Sequence, residues 1–158
     1  MQLGPSVGLD LSPAARAAAR AATSDRVFVV DDDHSVAELV REVCAGLGRT
    51  ATVYAAPAAL LRDCEGGPPA AVVLDWRLER EVGSAAFLAI RHRFPRLRVV
   101  CWTAARPDEL PAMVRADPHT RLVSKEGGVR PLEAALRWAV DLGPSKETSD
   151  GRPVPHPT

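Results

Sequence analysis

Three consecutive carboxylates, Asp31, Asp32 and Asp33, follow the apolar run Val27-Phe28-Val29-Val30, and a fourth, Asp75, follows the apolar stretch from Ala70 to Leu74. Adjacent carboxylates repel, and gathering them is costly unless a cation offsets the charge. A hard divalent ion such as Mg2+, held by one or two carboxylates, a backbone oxygen and water, resolves that conflict. The bland alternative is a helix N-terminus, where acids cap backbone N–H groups and suit the helix dipole. Thr103 ends a further apolar run and Lys125 follows Leu122-Val123-Ser124. The cations of the chain are 18 arginines and only two lysines, the second being Lys146 near the end. A lone lysine after a strand points to a need for a compact point charge rather than a planar fork, although a solvated surface lysine would look the same. Thr103 on its own signals no more than β-propensity.

These residues have to be positioned, and the surrounding periodicity says how. Val27–Val30 is a short, β-branched apolar run and reads as a buried strand. Val36, Leu39, Val40, Val43 and Leu47 recur at helical spacing, and Gly46 and Gly48 end that helix. Thr50 to Tyr54 reads as a second strand, and Pro57 opens a short helix through Leu60 and Leu61. The run Gly66-Gly67-Pro68-Pro69 breaks it before the third strand at residues 70–74. Phe87, Ile90 and Phe94 mark a helix that stops before Pro95, and Leu97 to Trp102 is a fourth strand. Residues 107–117 suit a helix but contain Pro107 and Pro111, which predicts a short or distorted element. Leu122–Ser124 is a short fifth strand, and Val129, Leu132, Leu136, Ala139 and Val140 form a last amphipathic helix. Five βα repeats whose strands show no polar alternation imply a parallel, doubly wound α/β sheet with helices on both faces. In such sheets the chemistry lies beyond the carboxyl ends of the strands, at the switch in strand order. The acids, Thr103 and Lys125 all fall on that rim.

Length and composition set the outer limits. The 158 residues suit about one domain of roughly 100–200 residues. Apolar residues make up 46% and charged residues 25%, which excludes a wholly disordered chain. The 20 basic and 20 acidic residues cancel, so bulk attraction to nucleic acid is not expected. Cys44, Cys64 and Cys101 cannot all pair with one another, and their spacing matches no zinc motif, so free thiols in a reducing cytoplasm are expected. Neither a secretory leader nor an apolar run long enough for a membrane span is visible. Residues 1–24 form an Ala-rich arm in which Ser12-Pro13 suits an N-cap and first helical position. Residues 143–158 form a Pro-rich tail expected to be disordered, which leaves 25–142 as the globular unit.

The order VFVVDDD, AVVLDWRL, VVCWTA and LVSK resembles the receiver domain of bacterial two-component response regulators. The spacing fits as well: 43 residues from Asp32 to Asp75, 28 on to Thr103 and 22 on to Lys125. The resemblance covers about residues 26–142 and implies a flavodoxin-like (βα)5 fold with strand order 2-1-3-4-5, for which the chemotaxis member of the same family is a standard example. It further implies that Asp75 is the phosphoacceptor, converted to aspartyl phosphate by a sensor histidine kinase or phosphotransfer protein. Asp31 and Asp32 match the family's acidic pair that holds Mg2+, completed by Asp75 and the backbone oxygen of Arg77. Lys125 would pair with phosphoryl oxygens, and the Thr103 hydroxyl and the N–H of Ala104 would bond them in the switched state. The Arg77 side chain, two residues after the acceptor, would overhang the site and prolong the phosphorylated state, unless it is simply solvated.

Three departures accompany the resemblance. The family's usual aromatic residue three positions before the lysine is Leu122 here, which puts the usual coupling to the far surface in doubt. Trp102 or Trp138 could substitute, though core packing suits Trp102 better. Proline usually follows the lysine, and here Glu126 does; a cis bond before it would cost about 3 kcal/mol, so a trans bond and a different loop are expected. Pro107 and Pro111 interrupt the fourth helix. His34, His92, His119 and His156 read as surface histidines.

The expected function is that of a single-domain response regulator: not a turnover enzyme, and without a DNA-binding domain, since only the tail follows residue 142. Output would pass through protein contact with an unknown partner or onward phosphate transfer. The last helices could also carry a homodimer; neither nucleic acid nor membrane is an expected partner. Two alternatives stay open. A receiver-like interaction module would need no phosphate. A haloacid-dehalogenase-type phosphatase would use Asp31 as nucleophile and Asp33 as acid/base, with Thr103 and Lys125 in supporting places, but it lacks a further acidic motif after Lys125 and leaves Asp75 unexplained.

Overall fold

The computed structural model describes residues 12–16, 24–77 and 83–141. Strands β1 (Arg26–Val30), β2 (Thr50–Tyr54), β3 (Ala71–Leu74), β4 (Arg98–Thr103) and β5 (Thr120–Ser124) alternate with helices α1 (His34–Gly46), α2 (Pro57–Glu65), α3 (Gly83–Arg93), α4 (Ala112–Arg115) and α5 (Val129–Asp141). The sheet has the order β2-β1-β3-β4-β5, and every pairing is parallel. This is the doubly wound, flavodoxin-like α/β order expected from the sequence.

The strands alternate between two cores. Phe28, Val30, Val72, Leu74, Val99 and Cys101 face Leu60, Phe87, Ile90, Leu110 and Val114 on the side of α2, α3 and α4. Val27, Val29, Val73, Val100 and Trp102 face Val40, Leu132 and Leu136 on the side of α1 and α5. Past Arg26 and Arg98, strands β1, β3 and β4 are buried on both faces, which is why they read as unbroken apolar runs, whereas the edge strands β2 and β5 are partly exposed. Each large side chain buried this way contributes about 1.5–3 kcal/mol of transfer free energy. The three thiols are free and buried, and burial pushes Cys44 up to about 11 and Cys64 and Cys101 up to about 12. Trp102 is core, as expected, at 3% exposure.

Local chemistry sets the ends that matter for the rim. Asp33 caps α1, its side chain accepting the N–H groups of Ser35 and Val36 at 3.0 and 3.4 Å. Gly48 lies beyond the helix with φ +71, a left-handed conformation suited to glycine. Pro57 occupies the first turn of α2. Gly83 opens α3 with its N–H 3.0 Å from the Trp76 carbonyl, and a Cβ there would stand 2.9 Å from Trp76 Cα and 3.1 Å from the Asp75 carbonyl. That glycine lets α3 start against the backbone that presents Asp75.

The proline-containing stretch resolves into two pieces, a 3-10 turn at Pro107–Glu109 and the four-residue α4 for which Pro111 is the N-cap. The fourth strand keeps 6 residues but sits one position further along, at Arg98–Thr103, and the fifth is longer than the periodicity predicts because Thr120-Arg121 joins the ladder opposite Val99 and Val100. At the N-terminal side, residues 13–16 are helical and Ser12 Oγ accepts the Ala15 N–H at 3.2 Å, which matches the Ser12-Pro13 start. The rest of the expected arm and the expected tail lie outside the described residues. Among the described residues no helix is long and apolar enough to cross a membrane.

Candidate phosphoacceptor and metal site

The carboxyl ends of β1, β3, β4 and β5 deliver Asp31, Asp75, Thr103 and Lys125 to one rim, and Asp31, Asp75 and Thr103 are the buried polar side chains of the described chain. The Asp75 N–H donates to the Val30 carbonyl at 3.0 Å, so the β1–β3 ladder runs one residue past β3 and fixes the backbone of Asp75. Asp75 Oδ1 accepts the Arg77 N–H at 3.0 Å. Asp31 Oδ1 accepts the Asp33 N–H at 2.9 Å. The remaining oxygens converge on one cation: Lys125 Nζ donates to Asp31 Oδ2 at 2.8 Å and to Asp75 Oδ2 at 3.1 Å.

Lys125 reaches that position from a 3-10 turn, Lys125–Gly127, capped by Ser124 Oγ accepting the Glu126 N–H at 3.2 Å and closed by Gly128 at φ +76. No peptide bond among the described residues is cis, so the bond before Glu126 is trans, as expected where proline is missing, and the loop there is a 3-10 turn. Beneath the ammonium lies the Trp102 ring, 5.7 Å from Nζ to centroid. Sequence reasoning assigned Trp102 to the core without seeing that its outer face also carries the cation.

Burial pushes the Asp31 carboxyl up by more than Lys125 and the Asp33 N–H hold it down. Burial also works against the charge of Lys125, but its bonds to Asp31 and Asp75 outweigh it and the ammonium is held charged beyond its ordinary range. One ammonium therefore faces two buried carboxylates, with the exposed Asp32 beside them. One oxygen from each of Asp31, Asp32 and Asp75 lies within 4.8 Å of the others. This is an all-oxygen, anion-rich donor set of the kind hard divalent cations take, so the cluster fits a metal ion.

The remaining expected residues are near but arranged differently. Thr103 Oγ1 accepts the Ala105 N–H at 3.1 Å, so the hydroxyl is folded into its own loop, and Ala104 is exposed. The backbone of Arg77 lines the site, while its guanidinium pairs with Glu109, a residue that sequence reasoning passed over because the pairing depends on how the 3-10 turn lies. His34 and His92 are exposed and His119 is half-buried.

Residues 27–137 match the sequence model of the response regulator receiver domain. Solved structures with the same fold include the apo receiver domain of Nitrogen Regulatory Protein C, 26% identical over 73% of this chain and 93% of that one, with a TM-score of 0.62. The signal receiver domain of an HD domain-containing protein from Pseudomonas fluorescens Pf-5 is 18% identical over 76% of this chain and 89% of that one, with a TM-score of 0.66. The chemotaxis protein CheY4 of Vibrio cholerae is 17% identical over 74% of this chain and 99% of that one, with a TM-score of 0.65. No curated protein sequence matches the chain.

Proposed function

Because this chain belongs to the response regulator receiver domain family, we propose that it is a phosphorylation-dependent switch in which Asp75 takes a phosphoryl group from the phosphohistidine of a sensor kinase or phosphotransfer protein. The observation that carries this reading is Lys125 Nζ bridging Asp31 and Asp75 within hydrogen-bond distance of both. Transfer of a phosphoryl group asks for positioning and positive charge rather than covalent help from the protein. An Oδ of Asp75 forms the new O–P bond as the N–P bond of the phosphohistidine breaks, and the imidazole leaves with the electron pair and takes up a proton from solvent. Lys125 then follows the charge from the carboxylate to the phosphoryl oxygens. Thr103 and the Ala104 N–H supply further donors once the hydroxyl leaves the Ala105 N–H.

Asp31, Asp32, Asp75 and the Arg77 carbonyl would hold Mg2+. When bound, the ion offsets the charge of the acidic cluster and of the incoming phosphoryl oxygens. Loss of the phosphoryl group to water resets the switch, so the chain catalyses its own modification without being a turnover enzyme. The reading makes the chain a cytoplasmic signalling protein whose output passes to another protein. Asp33 caps α1 through Oδ1, which speaks against the phosphatase alternative that would use it as acid/base.

The test uses the full chain with Mg2+ and acetyl phosphate as donor. Intact mass should rise by one phosphoryl group that maps to Asp75 and disappears in Asp75→Asn. Label on Asp31, or uptake undiminished by Asp75→Asn, would overturn the assignment.

A further inference from the structure

The ion pair between Arg77 and Glu109 joins two loops that both begin at the site. Arg77 stands two residues after Asp75, with its N–H on Asp75 Oδ1 at 3.0 Å, so its side chain starts at the edge of the phosphoacceptor. Glu109 closes the 3-10 turn that follows Thr103, where its N–H donates to the Arg106 carbonyl at 2.9 Å. Pro107 and Pro111 stiffen the two sides of that turn, and Leu110 and Val114 anchor it to the core while Met113 stays exposed. The pair thus straps the segment between β4 and β5 to the loop that carries the acceptor. Its side chains are 59% and 39% exposed, and exposed ion pairs are weak.

A competitor for that guanidinium arrives when Asp75 is phosphorylated. A protein-bound phosphoryl group carries about −1.5 to −2 charges and three acceptor oxygens, against one charge on Glu109. Guanidinium groups bind phosphoryl oxygens through paired, charge-assisted bonds. We propose that Arg77 is a shared partner, held by Glu109 in the unmodified chain and passed to the phosphoryl group on phosphorylation, so that the segment at residues 105–116 is released. Glu109, left facing a group of like charge, is pushed outward and carries the turn with it. Glu109 is then a positioning residue acting through Arg77. The exchange offers a route from site to surface in a chain that has Leu122 where the family has its aromatic residue. It rests on the phosphoacceptor reading above.

The experiment follows intact mass at Asp75 and amide hydrogen exchange at residues 105–116 in the same samples, with and without acetyl phosphate and Mg2+. In the parent chain, phosphorylation should speed exchange across the segment. Glu109→Gln and Arg77→Gln should each speed it by about threefold without phosphate, the scale of a weak exposed pair. In Arg77→Gln, phosphorylation should add nothing further, and Glu109→Asp should stay protected until phosphorylated. Label on Asp75 with no change in exchange in the parent chain overturns the inference alone, as does an undiminished phosphate response in Arg77→Gln. Absence of label in every protein overturns the phosphoacceptor reading and the exchange of partners with it.

Discussion

The two ends of the sheet each carry a cation bonded to carboxylate, and they are built to opposite purposes. At the amino end of β4 and β5, Arg91 pairs through Nε with Asp117. Its other donors reach the carbonyls of Phe94, Leu97 and His119 at 3.2, 2.6 and 3.2 Å and Thr120 Oγ1 at 3.0 Å. A guanidinium has five N–H donors in a fixed fork, and here all are engaged. Asp117 is equally occupied, by Arg91, the His119 N–H and the Thr120 hydroxyl. At the carboxyl end, one ammonium serves two buried carboxylates, Asp31 and Asp75, so among the described residues one cation stands against that pair of anions. The saturated cluster stores stability, whereas the under-compensated one is left to attract a cation. Such a site costs the fold some stability.

The largest effect should come from breaking the saturated end. Arg91→Ala leaves Asp117 and several carbonyls without their partner, and a loss of about 3–5 kcal/mol is expected, read from urea denaturation. Phosphoryl uptake per folded molecule should hardly change. Gly83→Ala comes next: the added methyl meets the Trp76 backbone at 2.9 Å, and overpacking of this sort costs about 1–3 kcal/mol. Unlike Arg91→Ala, it should also slow uptake, because the carbonyl of Asp75 is among the atoms that must shift.

At the other end the sign should reverse. Asp31→Asn removes one of two buried carboxylates sharing a single ammonium, and without divalent cations its denaturation midpoint should lie above that of the parent chain, by about 1 kcal/mol of stability. The same variant should bind Mg2+ more weakly and take up phosphate more slowly. A midpoint below the parent's would show that the cluster is not under-compensated.

The smallest effect is in pH dependence. His119 is pushed below its ordinary 6.5, by burial first and Arg91 second. The unfolded chain therefore binds that proton first, and stability is lost as pH falls below about 6.5. Asp117 is held down by Arg91 and the His119 N–H although burial opposes it, so its contribution is present above its ordinary 3.8 and is lost as pH falls through the depressed value. Asp31, raised by burial, works the other way: its cost is largest above its folded pKa and is relieved as the proton goes on. His119→Gln should flatten the parent's fall below about pH 6.5, and Asp31→Asn should remove the relief that protonation of Asp31 brings on further acidification. Denaturation midpoints followed from neutral into acid check both.

Why was one end legible in the sequence and the other not? The rim residues follow directly from buried parallel strands. Strands β1, β3 and β4 end in apolar runs, so the first polar residue after each marks the carboxyl edge, and Asp31, Asp75 and Thr103 emerge that way; Lys125, which follows Ser124, stood out as a lone lysine after a strand. Arg91 gives no such signal. It is one arginine among 18, and its acceptors at residues 94, 97, 117, 119 and 120 come together only after folding. The same holds for Glu109, whose partner is 32 residues away. The prolines at 107 and 111 announced a distorted element but not that Pro111 would restart the helix. Gly83 was passed over because a close backbone approach is a property of two segments at once.

Finally, the three interior cysteines make the molecule its own stopwatch. A thiol reagent in water can modify Cys44 only when the α1 and α5 layer comes away from the sheet, and Cys64 or Cys101 only when the opposite layer does. Because sulfur in the closed chain is both shielded and protonated, the rate at which each site is alkylated counts how often that half of the protein opens. One unmodified polypeptide can therefore report, layer by layer, whether magnesium or acetyl phosphate tightens one side of the sheet more than the other.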